Sequence, residues 1–328
     1  MSRALRRRRV AGPIGGVLAA AVLAVVVVAT PAGAPASAAD DAAIVNGIAI
    51  SVEDFDDLVT SVAESGQFQL DPASGVIEAG QGRSALQILI TNEAQRQFLD
   101  EQRVAAISAG ERESAGQDLD EQSGGSLTGA ARDALVEQTV LTSKLVEVAA
   151  PDVATLADSY AARPASLGVV CGRIIVVDDV GAGEDAIDSL DAGGSFADVG
   201  EEYSTEPDFA GTGGSLTGDP EQPCVPLSGV QGAGVELAGA LVAARPGQPA
   251  GPIETGAGII VFVADPFDDV AGAITDLYES PGAGAGAAGG SAGQLMFAGW
   301  LLDADISVNP RYGRWDPATA TIVALGQE

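Results

Sequence analysis

Proton transfer near neutral pH usually falls to histidine, and this chain contains none. Ser204 and Ser215 therefore have no imidazole to activate them, which excludes a hydrolase triad of the usual kind. Two cysteines, Cys171 and Cys224, are too few for a zinc site without histidine partners. Adjacent acids such as Asp56-Asp57 and Asp178-Asp179 read as solvated faces rather than general acids. The runs GAGEDA and GAGAGAAGG lack the strand, glycine loop and helix order that cradles phosphates, so no nucleotide is expected. Neither a metal nor a conventional proton shuttle is therefore expected.

Charge narrows the partners. Sixteen Lys and Arg stand against 46 Asp and Glu, a net charge of -30. Nucleic acid and anionic lipid are repelled by such a surface, since both bind through basic patches. The acidity serves either solubility alone or a preference for basic clients. Residues 1–38 have a basic start at Arg3 and Arg6 to Arg9, an apolar run over 14–29, then Ala36-Ser37-Ala38. That order predicts a secretory signal peptide with the mature chain starting near Ala39. The rival is an uncleaved N-terminal membrane anchor, against which stand the shortness of the run and Pro31 and Pro35 after it. In an exported chain an even pair of cysteines reads as a disulfide, and joining Cys171 to Cys224 stabilises by about 4 kcal/mol through loop closure.

The elements that must hold any site can be read from periodicity. AAIVNGIAIS has the character of a short strand with a turn at Asn46-Gly47. Ser51 opens a capped helix with Phe55, Leu58, Val59 and Val62 on one face. A second helix is predicted over 82–103 on the Leu86, Ile90, Ala94, Phe98 ridge, and a third over 128–148 through Ala134, Leu141, Leu145 and Val148. Between them, 110–129 is polar and glycine-rich and reads as a mobile connection. A short helix after Pro151-Asp152, with Val153, Leu156 and Tyr160 in phase, suits a hinge. From Leu167 the period changes: VVCGRIIVVDD is a strand, then come three helices, and GAGIIVFVADP is a closing strand, a small unit over 167–268. In the tail, Val270, Ile274, Leu277 and Tyr278 share a face, GAGAGAAGGSAG is a flexible link, and a helix and strand-like run follow. Tyr312 and Trp315 are expected to anchor this tail against the N-terminal helices.

These residues carry a family resemblance. AAIVNGIAIS with its acidic capped helix resembles the start of SurA-type exported chaperones, and VNPRYGRWDP resembles the tail of actinobacterial members. GGSFADVGEEYSTEPDFAGTGGSLTG, 193–218, resembles the parvulin (PpiC-type) peptidyl-prolyl isomerase signature through Gly194, Phe196, Tyr203-Ser204, Gly213-Gly214 and Leu216. GQPAGPIETGAGIIVF is similar to that family's closing segment. The resemblance implies an α+β fold: a helical chaperone-like domain built from 39–166 and the C-terminal segment 269–328, with a parvulin-like domain, 167–268, inserted. It also implies unfolded or nascent exported polypeptides as partners, outside the cytoplasmic membrane, and no cofactor.

Prolyl isomerisation must cross a resonance barrier of about 18–20 kcal/mol. A pocket lowers it by seating the proline ring and stabilising the twisted bond. In parvulins the polar part is two histidines, an Asp or Cys, and a Thr or Ser. Aligned with that set, Arg173 stands at the first histidine, Glu206 at the Asp or Cys, Thr255 at the Thr, Ala257 at the small hydroxyl and Ile260 at the second histidine. Leu237 falls near the proline seat. Arg173 and Glu206 form an opposite-charge pair if both turn inward, or reach solvent separately. Three readings follow: an exported foldase or chaperone whose parvulin-like domain has lost catalysis, a working isomerase relying on Glu206 and Thr255, or an extracytoplasmic binding protein outside folding.

Overall fold

The computed structural model describes residues 41–66, 78–256, 258–279 and 290–326, so the expected signal peptide, Ala257 and most of the 282–293 link lie outside it. The chain is α+β. Asp41–Val45 (β1) and Ile48–Ser51 (β2) form a hairpin whose Asn46 and Gly47 both have positive φ, as a two-residue turn of this twist demands. Ser51 then caps Val52–Glu64 (α1) by accepting the Asp54 N–H. Ala79–Glu101 (α2) buries the predicted Leu86, Ile90, Ala94, Phe98 ridge along its length.

The predicted connection over 110–129 is instead Ala109–Ser123 (α3), followed by Gly129–Lys144 (α4). Ser108 and Glu111 close a capping box at its start. The helix has almost no apolar face, burying only Gly116, and is held by charge: Arg132 grips Asp120, Arg112 grips Glu137, and the buried Lys144 ammonium reaches Glu111 at 2.7 Å. The Lys144 hydrogen bond and the Ser108 N–H hold the Glu111 carboxyl at about 2, below its ordinary 4.5. A folded-state value below the unfolded one stabilises fully above pH 4.5, and that contribution is lost as pH falls through about 2. Glu111→Gln is thus expected to flatten the loss of helical circular dichroism between pH 4.5 and 2; an unchanged acid limb would remove this ion pair from the account.

Val153–Ala162 (α5), capped by Asp152, buries Leu156 and Tyr160 of the predicted stripe but leaves its first member, Val153, 54% exposed. Then follow Val169–Val177 (β3), Val180–Asp191 (α6), Phe196–Tyr203 (α7), Phe209–Thr212 (α8), Cys224–Pro226 (β4), Leu227–Val230 (α9) and Val235–Ala243 (α10). Pro249–Thr255 (β5) and Gly258–Ala264 (β6) complete a four-stranded antiparallel sheet in the order β4-β3-β6-β5.

Phe267–Glu279 (α11) and Ala292–Leu301 (α12) come next. Ser291 and Gln294 form a capping box, so the end of the predicted flexible link is helical. Ile306–Val308 (β7) pairs antiparallel with β1, and Arg314–Asp316 (β8) pairs with Thr321–Val323 (β9). One core joins both ends of the chain: Tyr312 packs edge-on against Phe55 at 4.8 Å, Phe297 and Trp300 surround Phe98, and Trp315 is buried among them. A second core lies where the chain enters and leaves the sheet unit, with Leu156 and Tyr160 of α5 against Val270, Ile274 and Tyr278 of α11.

Cys171 and Cys224 form a disulfide inside this second core. It bridges facing residues of β3 and β4, both buried.

Candidate functional site

The β3–β6 ladder fixes which side chains can meet. Arg173 faces Val263 and Val176 faces Ile260, so alternation places Arg173, Ile175 and Val177 on one side of the sheet. That side carries α6 and α7, through Ala186, Phe196 and Val199. The other side carries Phe262, Leu241 and Leu237 of α10. Ile260 shares the face of Phe262, opposite Arg173.

Arg173 is fully engaged on its own side. Its guanidinium lies 4.5 Å over the Phe196 ring, its Nε donates to Asp265 Oδ1 at 2.8 Å, and its Nη2 makes an ion-pair contact with the same oxygen at 2.7 Å. Asp265 is the diagonal neighbour of Arg173 across the ladder, and its N–H donates to the Cys171 carbonyl at 3.2 Å. Its carbonyl accepts from the Tyr160 hydroxyl at 2.8 Å, tying the sheet to α5. Burial pushes the Asp265 carboxyl above its ordinary value, and Arg173 pulls it back only in part. Burial also raises the Tyr160 hydroxyl. This is a half-buried structural clamp joining β3, the residue after β6 and α5.

The other aligned residues fall elsewhere. Thr205 donates its N–H to the Val176 carbonyl at 2.8 Å, which hangs Glu206 on the open edge of β3, roughly 10 Å along the strand from Arg173. Of the two alternatives for Arg173 and Glu206, no ion pair joins them among the described residues; Arg173 pairs with Asp265 instead. Asp265 prevails because the register sets it beside Arg173, whereas Glu206 follows a loop. The Thr255 hydroxyl donates to the Gly258 carbonyl at 2.7 Å, closing the β5–β6 tip about five residues, or roughly 17 Å, beyond Arg173. Ile260 is buried core, and Leu237 is half-buried on the same face. The ladder therefore separates Arg173 from both Thr255 and Ile260.

The signature stretch has a structural task of its own. The Ile174 N–H donates to the Gly214 carbonyl at 2.7 Å, continuing the sheet edge where β4 stops. Gly214 has φ +73°, and a Cβ there would sit 2.4 Å from the Ile174 carbonyl and 3.1 Å from the Phe196 ring. Only glycine lets the loop lie flush on β3. Sequence reasoning missed Asp265; its signal was a carboxylate directly after the apolar run of β6, next to Pro266. No group of three or more metal-ligating side chains converges among the described residues, and none of the described helices is long and apolar enough to cross a membrane.

No protein-family model and no curated protein matches the chain. Among solved structures it is similar to PrsA from Bacillus subtilis, at 19% identity over 59% of this chain and 75% of that one, with a TM-score of 0.27. The peptidylprolyl isomerase PrsA from Bacillus cereus matches at 17% identity over 73% of this chain and 83% of that one, with a TM-score of 0.27. SurA-like chaperones of Campylobacter jejuni match at 20% identity over 71% and 88%, with a TM-score of 0.23.

Proposed function

We propose that the chain is an exported folding factor that holds unfolded or nascent polypeptides, with a parvulin-like domain kept as scaffold rather than as isomerase. The observation that carries this reading is the Arg173–Asp265 clamp. The residue at the first histidine position is spent on a structural ion pair, on the face opposite Ile260. A network of donors aimed at a twisting peptide bond needs its members in one pocket, and an aliphatic Ile260 supplies neither donor nor acceptor. The buried disulfide supports export, because such bonds persist in oxidising compartments. The pairing of β1 with β7 supports domain limits of 39–166 plus 269–328 around 167–268.

In a protease-coupled assay on a proline tetrapeptide, turnover is expected to stay at the uncatalysed rate. Turnover comparable to an ordinary parvulin, abolished by Glu206→Ala, would establish a working isomerase instead. Excess mature chain is expected to suppress aggregation of an unfolded test protein; no suppression points to a binding role outside folding.

A further inference from the structure

A cavity of about 460 Å³ opens where α2, α4 and α12 meet the start of β3 and α9, a volume within the usual range for small-molecule sites. On a chain of net charge -30, none of its lining side chains is charged. An ion entering it would lose hydration and meet no counter-charge in the wall. Hydroxyls and amides form one part of that wall, and Leu295 and Leu301 contribute to an apolar part.

The hydroxyls of α2 and α4 fall into two sets. Ser84, Thr139 and Ser143 each donate to a carbonyl of their own helix, at 3.3, 2.8 and 2.7 Å. Thr91 and Thr142, the two that line the cavity, do not: neither hydroxyl has a hydrogen-bond partner among the described residues, and neither is sealed from solvent. Two lining amides are each half engaged by backbone. Gln87 Nε2 donates to the Ala320 carbonyl at 2.8 Å, which leaves its Oε1 as a free acceptor. Gln294 Oε1 accepts the Ser291 N–H at 2.7 Å, which leaves its Nε2 as a free donor. These residues thus offer one acceptor, one donor and two groups that do both. A hydroxyl answers all four, because it donates and accepts from a single atom. A peptide unit divides the two tasks between atoms that point opposite ways in a fixed plane.

We propose that this cavity binds an uncharged polyhydroxylated molecule, a neutral saccharide. Its hydroxyls pair with Thr91, Thr142 and the free ends of Gln87 and Gln294, and its C–H faces lie against Leu295 and Leu301. The cavity is lined by Thr91 and Thr142 from the helical part and by Gly168 and Ser228 from the sheet part, so an occupant touches both. A ligand held only by the folded chain raises its melting midpoint.

The test is calorimetric titration of the protein with three neutral disaccharides, maltose, cellobiose and lactose, and with the 6-amino and 6-carboxylate derivatives of the tightest of them. Saturable binding of at least one disaccharide is expected, with a raised melting midpoint, and both charged derivatives are expected to bind at least about tenfold more weakly. Thr91→Val combined with Thr142→Val, which keeps the volume and removes both hydroxyls, is expected to weaken binding about tenfold. Thr139→Val, whose hydroxyl already serves the Leu135 carbonyl, is expected to bind like the wild type. Melting curves without sugar certify that the variants fold; should the double variant fail to fold, the charged derivatives on the wild type decide. No saturation by any of the three sugars up to about 20 mM, unchanged affinity in the folded double variant, or equal affinity for the charged derivatives overturns the proposal. So does saturable binding of a neutral Ala-Thr-Ser peptide where the sugars fail. Aggregation suppression is a separate measurement, so this site and the folding-factor reading can each fail alone.

Discussion

Replacing Cys171 and Cys224 by alanine is expected to lower stability by about 4 kcal/mol. The bond closes a segment of 53 residues that holds α6, α7, α8 and Glu206. Without it the unfolded chain regains the freedom that closure removes, while the folded chain loses two buried sulfurs packed among Leu156, Tyr160, Val169 and Ile274. Urea titration of oxidised and variant protein measures this, with Tyr203 environment and helical signal followed separately because the two cores need not unfold together. The oxidised midpoint should lie well above the variant's. A difference under about 1 kcal/mol would mean that the β3–β4 pairing holds without the bond. Because both sulfurs are buried, reductant should act slowly under native conditions and rapidly in denaturant.

The second large effect is at the crossing of α12 with the turn before β3. A Cβ on Gly299 would stand 1.9 Å from the Ser166 carbonyl oxygen. From the other side, a Cβ on Gly168, at φ +67°, would stand 1.8 Å from the Leu295 carbonyl oxygen. Both obstacles are backbone atoms that cannot rotate away. Gly299→Ala would gain about 1 kcal/mol of helix propensity in open space, but here the clash wins. The expected outcome is destabilisation of about 3 kcal/mol or more, with α12 displaced from the turn. Gly272→Ala in α11 is the control: nothing lies within 4 Å of its Cβ position, so a small stabilisation is expected. Equal melting temperatures for the two variants would show that α12 yields more easily than its close approach implies.

Local order was legible where local interactions suffice. The Asn46-Gly47 turn, the Ser51 cap and the Leu86 to Phe98 ridge follow from backbone sterics, one hydrogen bond and helical period, all within a few residues. The change of period at β3 and the pairing of the only two cysteines were readable for the same reason, the second because no rival partner exists. Helix α3 shows where this fails. Its capping box is local, but its stability comes from Arg132, Glu137 and Lys144 on α4, which no stripe in 109–123 announces.

The candidate site divides in the same way. The sequence by itself determined that no histidine was on offer, and with it no triad of the usual kind. Only the tertiary structure decided that Arg173 answers to Asp265 and that Ile260 is on the other side of the sheet. The physical reason is strand register: a shift of one residue between β3 and β6 would exchange every face. That register is set jointly by both cores, the disulfide and the loop at Gly214, none of which is local to the residues it arranges.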